Sequence, residues 1–166
     1  MRSDSRGTTI IEFALILPVF LSLVFGIFEF GLRTNQINSL RTGSAEGARA
    51  AAVGAYGDNG TCTSPGLPAN AATARVICLT KARVGLDESK TRVAVVLGSG
   101  GYAVGSEVLV CVQYRIESVT GLAEFLPVSD VAYSRAEVRI DHMSDEPLAA
   151  GQELPLSGGD WSSCTT

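Results

Sequence analysis

The chain has 166 residues, 13 of them Lys or Arg and 17 Asp or Glu, for a formal charge of −4. That balance excludes a nucleic-acid binder that works by neutralising phosphates, and 46% hydrophobic against 18% charged residues excludes a disordered chain. The length suits one domain with an appendage, and the mean hydropathy of +0.24 traces largely to one segment.

That segment comes first in chain order. From Ile10 to Phe30 the sequence reads IIEFALILPVFLSLVFGIFEF, and Glu12 and Glu29 are its only charges. At ~1.5 Å per residue the run makes a helix of about 31 Å, close to the ~30 Å of a bilayer's hydrocarbon. It has no polar face at helical periodicity, so it predicts a membrane-spanning helix rather than a core helix. Arg2 and Arg6 precede it with only Asp4 opposed, which keeps the N-terminus cytoplasmic and puts everything after residue 31 outside. A cleaved secretory signal fits less well. Its apolar region is shorter and ends in a small-residue site, which Gly31-Leu32-Arg33-Thr34-Asn35-Gln36 lacks.

Glu12 needs a reason, because a carboxylate within a spanning helix costs on the order of 3 kcal/mol. It could snorkel to the nearby interface and do nothing. Alternatively, a peptidase cut after Gly7 would create an α-amine on Thr8, mostly cationic at neutral pH. In a helical assembly that amine could pair with a neighbour's Glu12 and offset the carboxylate's desolvation. A short basic leader ending in Gly, a cut before the apolar helix and a Glu five residues on resemble the type IV pilin pattern. The fuller string RGTTIIEFALILPVFLSLVFGIFEFG is similar to the TadE-like minor pilins (pseudopilins) of the tight-adherence, or Tad/Flp, pilus. The resemblance is carried by Arg6, Gly7, Glu12, Phe13, Pro18, Gly26 and Glu29-Phe30-Gly31, then more loosely by Glu46-Gly47-Ala48-Arg49-Ala50-Ala51-Ala52. One departure is Phe13, where the major Flp pilins usually carry Tyr. Those pilins are also far shorter, so the resemblance implies a minor component rather than the shaft subunit.

Pro18 removes the hydrogen bond to the carbonyl of Ala14 and is expected to kink the helix, with Gly26 a second soft point. In the pilin reading that kink helps the helix leave the bilayer and repack in a filament; ordinary membrane-helix composition explains it equally well. Glu29 reads as a boundary carboxylate. The helix is expected to continue through Arg33 to Val53, where Gly43, Gly47, Ala51 and Gly54 form a smooth stripe. We read the stripe as a spine packed on its own sheet, with a face for a partner pilin as the alternative. Gly54 to Asn70 is a loop in which the sequon Asn59-Gly60-Thr61 reads as a turn. A second helix is predicted from Ala71 to Val84.

The remainder is predicted as β. Thr91 to Leu97 and Glu107 to Ile116 form a hairpin through the Gly-rich Gly98 to Gly105. In the second strand Val108, Val110, Val112, Tyr114 and Ile116 alternate with Glu107, Cys111, Gln113 and Arg115, so one face is core. A third strand, Tyr133 to Asp141, follows the connector Thr120 to Asp130. The tail from Asp145 to Thr166 reads as irregular.

Motifs for chemistry are lacking. Gly98-Ser99-Gly100-Gly101 has no Gly-Lys-Ser/Thr ending, and Gly43-Ser44-Ala45-Glu46-Gly47 has alanine at the nucleophile's place. His142, the only histidine, could bind a metal weakly with Asp141, Asp145 and Glu146, but a solvated strand end is the better account. We expect no enzyme, no cofactor and no metal.

Cys62, Cys78, Cys111 and Cys164 all follow the apolar segment, and their even number suits two bridges in an oxidising compartment. Three connectivities are possible. Alternation turns Cys111 away from the presumed helix-covered core, towards a face that the tail with Trp161 and Cys164 could cover. That favours Cys111–Cys164 and leaves Cys62–Cys78.

The expected architecture is thus α+β and type IV pilin-like: a long N-terminal helix, half transmembrane and half ectodomain, on a small antiparallel sheet stapled by disulfides. Residues 1–7 would be a prepilin leader, 8–31 the transmembrane and assembly helix, and 32–166 the extracytoplasmic domain. The resemblance implies cleavage by a prepilin peptidase at Gly7–Thr8 and an assembly role for Glu12, Phe13 and Pro18. The partners it implies are other Tad pilins and minor pilins and an inner-membrane assembly platform, with surface adherence as the outcome. The alternative is an uncleaved, single-pass anchored periplasmic interaction domain.

Overall fold

One helix, α1, runs unbroken from Ser5 to Ala52. The computed structural model describes residues 5–57, 62, 66–118, 121 and 129–164, the side chains of 5–9 and 163 lying outside that description. The sequon and most of the connector before the third strand therefore fall outside the described residues. The chain divides into two units: Met1–Thr34 with Ser118–Val128, and Asn35–Glu117 with Ser129–Thr166.

In the first unit α1 passes through Pro18 without interruption, and the Ser22 hydroxyl donates to the Pro18 carbonyl at 2.8 Å. The proline ring denies the Ala14 carbonyl its usual donor, while Ser22 adds a second donor one turn further on.

In the second unit α2 spans Ala71–Val84, and its ends are closed by local chemistry. Asn70 Oδ1 accepts from Thr73 N at 2.8 Å, and Gly85, at φ 64°, turns the chain left-handed so that its N–H donates to the Lys81 carbonyl. The strands are β1 (Thr91–Leu97), β2 (Glu107–Arg115), β3 (Val131–Arg139) and β4 (Gly151–Gln152), in the antiparallel order β3-β2-β1-β4. Register is set by Val95 opposite Val110 and by Val110 opposite Ala136. Hence Val93, Val95, Val108, Val110, Val112 and Tyr114 share one face. They pack with Leu40, Ala48 and Ala51 of α1 and with Val76, Ile77 and Val84 of α2. This is the expected helix spine on a small antiparallel sheet. β3 ends two residues before the predicted Asp141, and β4 is an addition that the sequence does not announce.

The small-residue stripe of α1 divides between two jobs. Ala48 and Ala51 enter the core, whereas Gly43 and Gly47 give α2 its close approach. A Cβ on Gly43 would lie 2.3 Å from Val84 Cγ2 and 2.9 Å from the Val84 backbone nitrogen. Gly43→Ala is therefore expected to lower the domain's unfolding free energy by about 1–3 kcal/mol. A Cβ on Gly31 meets nothing within 4 Å, so Gly31→Ala serves as the control. Thermal melts of the two variants check the contrast.

The opposite face of the sheet is also covered. Ala94, Cys111, Trp161 and Cys164 form a second buried cluster there, with Leu109 at its margin. The segment after β4 lies across it, ending in a short 3-10 turn at Ser162–Cys164.

Candidate functional site

The sequence points to two places, and they lie in different units. The first is the N-terminal stretch of α1. The Gly7–Thr8 bond sits on its helical backbone, in the first turns after Ser5. Glu12 is exposed, as are Ile10, Ile11, Phe13 and Pro18. The most apolar 18-residue window has a mean hydropathy of 2.5, and none of it is buried. An apolar helix of this length with no protein cover is a candidate membrane span, because water would otherwise bear the whole apolar surface. Glu12 is the single acid among the large apolar side chains at its N-terminal end.

The second place is the tail-covered side of the sheet. Cys62 is bridged to Cys78 and Cys111 to Cys164, with Cα–Cα distances of 5.4 and 6.0 Å. Both lie within the usual disulfide range of about 4.4–6.8 Å. Cys111 and Gln113 sit on the face away from the helices, as alternation requires, but neither meets solvent. Gln113 Nε2 donates to the Asp160 carbonyl at 2.6 Å, and its Oε1 accepts from Leu156 N at 3.3 Å. Its amide thus acts as a peptide group for a tail that has no strand partner of its own. Arg115 Nη2 adds a hydrogen bond to Ser157 Oγ at 2.7 Å.

Sequence reasoning passed over Lys81 and Glu153. Lys81 Nζ lies 2.8 Å from Glu153 Oε1, with side chains 1% and 0% exposed. Glu153 Oε2 accepts from Val93 N at 2.7 Å, its own N–H donates to the Val93 carbonyl, and its carbonyl accepts from Trp161 Nε1 at 3.1 Å. One residue thereby joins α2, β1 and the tail. The only available signal was a lysine at helical spacing among Ile77, Thr80 and Val84, which reads equally well as a solvated position.

A third cluster ties the far end of α1 to the segment after β3. Tyr56 donates to the Glu146 carbonyl at 2.7 Å and contacts the Ser144 hydroxyl, and Ser144 N donates to Tyr102 Oη at 3.2 Å. Burial raises the Tyr56 hydroxyl above its ordinary pKa. His142 contributes its backbone there, donating to the Ala52 carbonyl at 3.2 Å, as Asp141 does at 3.0 Å.

A shallow depression of about 210 Å³ is lined by Val96, Leu109, Glu107, Arg135 and Glu137, with Cys164 at one wall. It brings together no nucleophile with a general base. Among the described residues, no three His, Cys, Asp or Glu side chains are grouped to hold a metal.

Residues 7–49 match the family model of TadE-like proteins. The match covers the apolar stretch and most of the spine, and it stops short of α2, the sheet and the disulfides. No curated protein and no solved structure matches the chain.

Proposed function

We propose that this chain, TadE-like over residues 7–49, is a minor pilin: anchored in the inner membrane by α1, cut after Gly7 by a prepilin peptidase, and built into a Tad-type pilus with other pilins. The observation that carries the reading is the family match falling on an uncovered apolar helix that holds Glu12 near its N-terminal end. The α1 spine, the sheet and the disulfides then make up an extracytoplasmic domain whose contribution is structural, in surface adherence. After the cut, the Thr8 amine of one subunit meets the Glu12 carboxylate of another as both enter an apolar assembly, so that neither charge is buried alone.

The test is the mass of the purified protein from a host with a working prepilin peptidase. A mature N-terminus at Thr8 is expected. An intact Met1 would overturn cleavage and leave an uncleaved, anchored interaction domain. Glu12→Ala is expected to preserve membrane insertion and protein level, because it makes the segment more apolar, while pilus incorporation falls. Wild-type incorporation by that variant, scored in sheared pilus fractions, would remove the pairing role.

A further inference from the structure

The Cys111–Cys164 bridge lies under the tail, yet its two sulfurs are not equally enclosed. Cys111 packs with Ala94 and Trp161 in the second buried cluster and is 0% exposed. Two residues along each strand, Val96 of β1 and Leu109 of β2 stand opposite each other on the same face of the sheet. Both are half-buried, and they line the depression of about 210 Å³. Glu107 and Glu137 line it too, and both are exposed, so the recess opens to water. Cys164 lines it as well, whereas Cys111 does not. The bridge thus presents one sulfur to a solvent-open recess and keeps the other behind it.

Thiol–disulfide exchange is the attack of a thiolate on one sulfur while the other leaves, so the sulfur that can be reached decides the product. We propose that Cys164 is a thiol-exchange site, reached through this depression by low-molecular-weight thiols, with Cys111 always the departing sulfur. The incoming thiolate forms a new S–S bond to Cys164. The Cys111–Cys164 bond breaks, and its electron pair goes to Cys111, which takes a proton from water. A second thiolate then attacks the sulfur of the first, releasing Cys164 as a thiol. The protein bridge is reduced by two electrons, and two small thiols are oxidised to one disulfide. Run in reverse, the same path makes Cys164 the residue that a small disulfide loads first, before Cys111 closes the bridge.

The surroundings set the pace. A thiolate leaving on Cys111 finds Ala94 and Trp161 about it, an apolar setting that favours return to the bridge. The exchange nonetheless needs no global unfolding, because the tail has other holds. Gln113 bonds Asp160 and Leu156, and Trp161 bonds the Glu153 carbonyl. Opening the bridge therefore loosens a strap over one face of the sheet, while the helices stay packed on the other.

The test uses the full-length chain in detergent, folded, with cysteamine as the small thiol and glutathione as a bulkier one. Samples are quenched in acid and the adducts mapped. Cysteamine adducts on Cys164 are expected to outnumber those on Cys111 by about tenfold or more, and the bridge should open in proportion to thiol concentration. Per thiolate, glutathione should act several-fold more slowly. Val96→Trp, which fills the recess, should slow opening of Cys111–Cys164 by about tenfold and leave Cys62–Cys78 at its wild-type rate. Adducts shared evenly or found on Cys111, or a bridge that resists cysteamine until the chain unfolds, would overturn the proposal. So would loss of both bridges at one rate independent of thiol concentration, or a folded Val96→Trp that opens as fast as wild type. Equal rates with the two thiols would remove the restriction to small ones. If Val96→Trp fails to fold, the adduct distribution on the wild type decides alone. None of these measurements depends on cleavage or pilus assembly, so the pilin reading stands or fails separately.

Discussion

Replacing Lys81 with methionine is expected to lower the unfolding free energy of the domain by about 3–5 kcal/mol. The ammonium sits 2.8 Å from Glu153 Oε1 with both side chains out of solvent, so its removal strands a carboxylate whose remaining partner is the Val93 N–H. The loss reports the stranded charge more than the worth of the pair. A second change should therefore recover much of it. In Lys81→Met with Glu153→Gln, the glutamine oxygen still accepts from Val93 and no net charge is buried. Denaturant titrations of the wild type, the two single variants and the double variant form the cycle that separates these terms. A single-variant loss below about 1 kcal/mol would contradict the assignment.

Breaking the Cys111–Cys164 bridge is expected to act nearly as strongly, with a spectroscopic mark of its own. The bridge joins residues 53 apart in sequence, against 16 for Cys62–Cys78. On chain-entropy grounds these are worth about 4 and about 3 kcal/mol. The two also hold different things. Cys62–Cys78 fastens the loop before α2, whereas Cys111–Cys164 holds the tail across the sheet, where Gln113 and Trp161 are buried beneath or within it. Trp161 is the only tryptophan in the chain. Cys164→Ser should therefore shift its emission to the red along with the loss of stability, and Cys62→Ser should lower stability with the emission unchanged. Peptide mapping without reductant is expected to recover the two linked pairs.

These two sites show how far sequence reasoning reached. The apolar helix was legible because one physical demand, about 30 Å of hydrocarbon, leaves a long charge-free run. The hairpin was legible from local chemistry, alternating valines beside a glycine-rich turn, and α2 from the end of the loop at Asn70; its caps at Asn70 and Gly85 emerge from the structure. The orientation of Cys111 followed from that alternation. The burial of Gln113 did not, because a polar residue on an open strand face and one sealed under a tail look the same along the chain. β4 was illegible for a related reason. Two residues, one of them glycine, carry no period, and their pairing with Ala94 and Val95 is a tertiary fact. The buried Lys81–Glu153 pair lay furthest out of reach, since its partners are 72 residues apart and each alone resembles a surface charge. The proposed roles of Gly7 and Thr8 in cleavage and of Glu12 in assembly come from resemblance and spacing, not from any packing that the fold supplies.

The position of Glu153 along the chain sets an order of events during synthesis. It follows Val93 by 60 residues and Lys81 by 72. A nascent chain that has delivered α2 and the first three strands still lacks the acid that neutralises Lys81, the indole that covers Ala94 and the thiol that joins Cys111. Until those residues emerge, the helices and the hairpin can collapse onto one another but cannot settle. Chains cut short after β3 would carry nearly all of the domain's secondary structure without these anchors, which exposes them to proteolysis more than chains that include the segment through Cys164. The segment from Glu153 to Cys164 is thus the last part of the fold to arrive and the one that lets the earlier elements settle.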